Sequence, residues 1–171
     1  QKGQLITRFF FKSNGILQYE KEKGTIHPDS VIDGIMTKQG SSQIRKLLGG
    51  EYFSFPKPDA LVRYFGVCTE KDSLILDFFS GSATTAHAVM QLNAEDGGNR
   101  KYILVQIPEL IKEDKPAYKA GYRTIDEIGR ERIRRAAKKI KEETGANIDY
   151  GFKTYSLEKL EDEILTNLDC A

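Results

Sequence analysis

The chain has 171 residues, enough for one good core or for one core with a small appendage. Charged residues make up 30% and apolar ones 39%, with 26 lysines and arginines against 25 aspartates and glutamates. That balance predicts a soluble protein and gives no global attraction for nucleic acid, and no apolar run is long enough to span a bilayer.

In chain order, Leu5–Phe11 (LITRFFF) reads as a strand rich in aromatic and β-branched residues. Ser13-Asn14-Gly15 forms a turn cluster, and Ile16–Tyr19 returns as the second strand of a hairpin. The three phenylalanines Phe9, Phe10 and Phe11 suggest a core strand more than a base-stacking platform. His27-Pro28-Asp29 starts another turn. Ser41–Leu48 is a short helix capped by Ser41 or Ser42 and ended by Gly49-Gly50. Residues 1–50 thus form an irregular N-terminal appendage.

From residue 51 the pattern sharpens. Tyr52–Pro58 is extended, because two prolines fix their own φ and push their predecessors out of the helical region. Asp59–Phe65 is a helix. Ser73–Phe79 is a continuous apolar strand, which fits a sheet covered on both faces. Thr84–Leu92 is a helix of good formers, stopped near Asp96-Gly97-Gly98, and Lys101–Ile107 is a second apolar strand. A long helix spans Ile125–Glu143, opened by the Thr124-Ile-Asp-Glu127 capping box and ended by Gly145. Ile125, Ile128, Ile133, Ala136, Ala137 and Ile140 define its buried stripe. Tyr150–Leu157 is a third strand, followed by a terminal helix or tail over Glu158–Asn167. The order makes an α/β protein with a parallel βαβαβ unit.

Asp77 closes the first apolar strand, and Ser80-Gly81-Ser82 turns into the next helix. Ligands of such units bind beyond the carboxyl ends of the strands, where a carboxylate and helix N-terminal N–H groups converge. A ligand carrying both an ammonium and an anion suits that point. The turn holds one glycine, so it is not a G-x-G-x-x-G fingerprint, and no Gly-Lys-Ser/Thr follows. A capped strand–helix turn with no ligand remains the plainer alternative. Ala83 occupies a position that is either helical, where alanine is favourable, or left-handed, where it costs about 1 kcal/mol.

Asp77-Phe-Phe-Ser-Gly-Ser-Ala-Thr-Thr-Ala-His-Ala-Val89 closely resembles the S-adenosylmethionine motif of DNA amino-methyltransferases, and Phe55-Pro-Lys-Pro58 resembles their Lys-Pro element. Two further stretches, residues 91–109 and 121–135, are similar to the modification subunits of type III restriction–modification systems. The resemblance covers roughly residues 50–157. It implies a three-layer Rossmann-like methyltransferase fold, S-adenosyl-L-methionine as cofactor and methylation of adenine N6 in DNA. It assigns Lys57 to the methionine carboxylate, with Phe55, Pro56 and Pro58 as pocket wall. Asp77 would orient the methionine amino group. Phe78, Phe79, Ser80, Gly81 and Ser82 would line the turn, and Thr84 would add a contact at the helix start. Gln106 and Glu109 are the two candidates for the ribose hydroxyls. Implied partners are double-stranded DNA and a restriction subunit, and the implied location is the cytoplasm.

The family's catalytic D-P-P-Y motif has no counterpart here, since none of the five prolines is adjacent to another. With the Lys-Pro element preceding the D-F-F motif, residues 1–50 are expected to end a target-recognition region, and residues 51–171 to form the cofactor-binding subdomain. Together with the start at Gln1, this reads as a piece of a longer enzyme, inactive alone. Its first apolar strand would then be an exposed edge, which points to a homodimer. The rival reading is a non-catalytic nucleotide-binding or assembly module. His87 reads as a packing or surface residue. Arg130, Arg132, Arg134, Arg135, Lys138, Lys139 and Lys141 make a basic helix face that either meets DNA or is simply solvated. Glu95, Asp96 and Asp114 show no metal spacing. Cys68 and Cys170 read as reduced thiols.

Overall fold

The computed structural model describes residues 6–12, 16–21 and 32–157. The chain divides into two compact units between Gly34 and Ile35. In the first, β1 (Ile6–Phe11) pairs antiparallel with β2 (Leu17–Lys21), with Phe9 opposite Tyr19 and Phe11 opposite Leu17. The expected hairpin is therefore present. The rings of Phe9 and Phe11 are exposed, however, so these two do not form a core strand. The turn at 13–15, the turn at 27–29 and the expected helix at 158–167 lie outside the described residues.

The second unit contains α1 (Thr37–Leu48), α2 (Asp59–Gly66), β3 (Leu74–Asp77), α3 (Thr84–Asp96), β4 (Lys101–Leu104), α4 (Pro116–Lys119) and α5 (Ile125–Thr144). Helix α1 starts at Thr37 and not at Ser41. The Gln39 side-chain oxygen accepts the Met36 N–H and supplies the start that no Ser, Thr or Asp cap announces. Helix α1 packs on α5, so it belongs to the main core and not to the N-terminal appendage.

Strands β3 and β4 pair in parallel, with Leu74 opposite Lys101 and Asp77 opposite Leu104. Only these two strands form the sheet among the described residues. The third strand expected at Tyr150–Leu157 is absent. Ile148, Tyr150 and Phe152 do alternate onto the core as a strand would, but their segment makes local bonds instead. Tyr150 Oη donates to the Ala146 carbonyl, and Gly151 N–H donates to Asp149 Oδ1. The βαβαβ unit is thus seen as one βαβ step followed by α5.

Helix α3 is buried on nearly every side, between α2 and α5 and against β4. Its cap residue Ala83, with Ala86 and Met90, packs on Ile133, Ala136 and Ile140 of α5. A second cluster joins Ile44 and Leu48 of α1 to Ala117 of α4 and Ile128 of α5. Among the described residues nothing covers the other face of the sheet, where two-sided cover was expected: Leu74 is 61% exposed, and Leu76 and Ile103 are each 48% exposed.

Asn93 near the end of α3 fixes the return to β4. Its Nδ2 donates to the Arg100 carbonyl at 2.9 Å, and its Oδ1 accepts the Arg100 N–H at 3.1 Å, both buried. The Arg100 guanidinium then reaches Asp96 and Thr69, and holds the Asp96 carboxyl below its usual range. Removing the Asn93 amide strands two buried backbone groups. We expect Asn93→Ala to lose about 2–4 kcal/mol in urea unfolding at neutral pH, against little change for Asn99→Ala on the exposed side of the same loop.

Candidate functional site

The turn after β3 is closed by backbone bonds. Val105 N–H donates to the Asp77 carbonyl at 2.8 Å, Ser80 N–H to Val105 at 3.2 Å, and Ala83 N–H to Ser80 at 2.7 Å. Gly81 and Ala83 both take positive φ, 49° and 58°. Of the two conformations open to Ala83 from sequence, the left-handed one is realised, at a cost of about 1 kcal/mol. A Cβ at Gly81 would come within 2.9 Å of the Phe53 ring, so glycine is required there by space as well as by φ.

Asp77 stands half-buried at the strand's end. Its Oδ1 accepts the Phe79 N–H at 3.2 Å and its Oδ2 accepts the Thr85 hydroxyl at 2.5 Å. Both bonds fix the direction of the carboxylate. Gln106, at the end of the second strand, accepts the Gly81 N–H at 2.7 Å and donates to the Ile107 carbonyl at 3.0 Å. Its amide is thereby committed to bracing the turn. Glu109 stays exposed, and its carboxylate makes no hydrogen bond or ion pair among the described residues.

The Lys-Pro segment meets the turn from the other side. Thr84 Oγ1 donates to the Lys57 carbonyl at 3.2 Å. Pro56 and Pro58 are buried, whereas Lys57 is exposed. Phe55 has φ 55°, and its ring is 89% exposed, beside 86% for Phe79 and 62% for Phe78. Gly40 of α1 explains how the segment is seated: any Cβ there would overlap the Pro56 carbonyl. Asp59 is pinned in turn by Gln43 of α1, whose amide both donates to its carboxylate and accepts its N–H. Sequence reasoning assigned α1 no part in this site, because the contact is made by the backbone of a glycine.

These residues form a donor set with an oriented carboxylate, an exposed ammonium and three exposed rings around a close backbone turn. That set fits a zwitterionic ligand with an apolar body. Among the described residues no group of His, Cys, Asp and Glu has metal-binding geometry, and no helix is long and apolar enough to cross a membrane.

Residues 1–141 match a family model described as DNA methylase. The chain belongs to the DNA methylase family. The Mod subunit of the type III restriction-modification enzyme StyLTI from Salmonella typhimurium is 43% identical over 171 residues, covering 94% of this chain and 26% of that protein. The EcoPI Mod subunit of Escherichia phage P1 is 42% identical over 68% of this chain and 18% of its own length. The type II methyltransferase M.KpnI from Klebsiella pneumoniae is 36% identical over 70% and 30%. The chain therefore spans about a quarter of the length of these curated relatives.

Within this member of the DNA methylase family the basic face of α5 is mostly paired. Arg130 bonds Asp126, Arg134 and Arg135 bond Glu131, and Lys138 and Lys139 approach Glu142 and Glu143. That is the solvated-face arrangement. Arg132 does not belong to the face at all: it is 0% exposed. Its position, four residues from both Ile128 and Ala136, was the available signal, and its charge concealed it.

His87 lies buried in α3, as a packing residue. Burial first, and the Arg132 charge second, lower its pKa from 6.5 to about 4. The folded state therefore holds His87 neutral while the unfolded chain protonates near 6.5. This contribution is fully present above pH 6.5 and is lost as pH falls toward 4, up to about 3 kcal/mol. We expect urea midpoints to fall between pH 7 and 5, and His87→Met to flatten that part of the slope.

Proposed function

We propose that this chain holds S-adenosyl-L-methionine for a DNA methyltransferase of a restriction–modification system that methylates adenine N6. The observation that carries the reading is the Asp77 carboxylate, fixed by Phe79 N–H and the Thr85 hydroxyl at the mouth of a left-handed turn, while the neighbouring Thr84 hydroxyl holds the Lys57 carbonyl against the same turn. When bound, the cofactor supplies an activated methyl group on sulfur. Asp77 would pair with its ammonium, and Lys57 with its carboxylate. Phe55, Phe78 and Phe79 would cover its apolar parts. With Gln106 turned onto the Gly81 backbone, Glu109 is the better placed of the two for the ribose hydroxyls. Pro56 and Pro58 shape the wall from beneath, and Ser80, Gly81 and Ser82 set the turn.

Alignment of the target amine falls to residues outside this sequence, since it contains no pair of adjacent prolines. Duplex DNA and a restriction subunit are the proposed partners, in line with the family and with the names of the type III relatives.

Calorimetric titration with S-adenosylhomocysteine tests the reading. Binding is expected, with Asp77→Ala and Lys57→Ala each weakening it about tenfold and Lys139→Ala leaving it unchanged. An absence of both heat and thermal shift would return the chain to the alternative of a non-catalytic assembly module. For the bare face of β3 and β4 we expect self-association, so light scattering at high protein concentration should report a dimer; a clean monomer counts against it.

A further inference from the structure

Arg132 has no exposed surface, so it touches neither DNA nor a ligand directly. Its Nη1 donates to Ser82 Oγ at 3.0 Å and to Thr84 Oγ1 at 2.7 Å. Thr84 Oγ1 passes its own proton to the Lys57 carbonyl at 3.2 Å. One buried guanidinium thus ends a hydrogen-bonded chain that runs from α5 through the start of α3 to the Lys-Pro segment. The arrangement is a costly one. Arg132 makes no ion pair among the described residues, and its Nε and Nη2 have no hydrogen-bond partner. The Asp59 carboxylate nearby favours the charge without forming an ion pair, and the hydrogen-bond partners are two neutral hydroxyls; a buried charge held in this way stabilises less than an apolar side chain of similar size would. Packing therefore does not account for an arginine here.

The neighbouring backbone is shaped to admit this contact. Gly129 lies one turn earlier on the same face of α5, and a Cβ there would sit 3.2 Å from the Gly81 carbonyl and 3.4 Å from the Ala83 methyl. Helix α5 therefore presses its backbone onto the left-handed turn at one point and holds the two flanking hydroxyls at the next.

We propose that Arg132 is a positioning residue that sets the separation between the Ser80–Ala83 turn and the Lys57 segment, and so the fit of the amino-acid end of the methyl donor. The proposal rests on the cofactor reading above. It assigns to Arg132 an effect on one end of the ligand only, because its chain of bonds ends at Lys57 and at the turn beside Asp77.

The test uses two ligands, S-adenosylhomocysteine and 5′-methylthioadenosine, which lacks the amino-acid end. In the 171-residue chain, Arg132→Met is expected to weaken the first about tenfold and to leave the second within about twofold. Arg132→Lys should recover part of the loss. Thr84→Val should reproduce it, and the double variant should lose no more than either single one, since both break the same chain. Equal loss for the two ligands, or loss for neither, overturns the proposal and leaves Arg132 a structural residue. Should Arg132→Met fail to fold by circular dichroism, Arg132→Lys and Thr84→Val are read by the same criteria. No binding of either ligand by the unsubstituted chain rejects the cofactor reading itself, and this one with it; normal binding with unselective losses rejects Arg132 alone.

Discussion

The seating of helix α5 on the turn after β3 is the constraint from which the rest of the site follows. A left-handed alanine is unfavourable on its own, and two positive-φ residues, Gly81 and Ala83, on either side of Ser82 need an external hold. The hold has three parts: Gln106 on the Gly81 N–H, Gly129 against the Gly81 carbonyl, and Arg132 on the hydroxyls of Ser82 and Thr84. The first comes from the segment that follows β4 and the other two from α5. The turn is rigid because β4 and α5 both define it, and not because its own sequence prefers the conformation.

The Lys-Pro segment is held by the same logic. Its prolines remove N–H groups, so it cannot secure itself with backbone ladders. It is fixed instead by the glycine face of α1 below and by the Thr84 hydroxyl beside it. Thr84 therefore serves two neighbours at once, as acceptor for Arg132 and donor for Lys57. That use explains why its side chain points into the protein, although the motif alone suggests a contact with ligand. The groups left unspent by this network are the Lys57 ammonium, the remaining lone pairs of Asp77 and the exposed rings of Phe55, Phe78 and Phe79.

What was legible in the sequence, and what was not, divides along physical lines. Helices α2, α3 and α5 and strands β3 and β4 were readable because periodicity, Gly97, Gly145 and the capping Glu127 are local signals. The Asp77 turn was readable as a motif. The start of α1 was not, since a Gln39 side chain does the work of a cap that its residue type does not advertise. Gly40, Gly129 and Arg132 were missed for a shared reason. Their roles are defined by a partner far along the chain, and a glycine or an arginine in a helix reads locally as weak packing or as solvent-facing charge.

The strands show the converse error, in which a clear signal hid an asymmetry. Leu74, Ile75 and Leu76, like Tyr102, Ile103 and Leu104, are apolar at every position, so period-two alternation cannot tell their faces apart. The structure separates them: Tyr102 and Leu104 pack on the α3–α5 core, whereas Leu74, Leu76 and Ile103 stand open. A parallel sheet in water is ordinarily covered on both sides, and a two-stranded one has little stability of its own. The apolar outer positions are therefore not accounted for by the described residues, whose core lies wholly on the other face. Since the Ser80–Ala83 turn hangs from the carboxyl end of β3, whatever covers that outer face also bears on the exposed Phe78 and Phe79 rings that follow the strand.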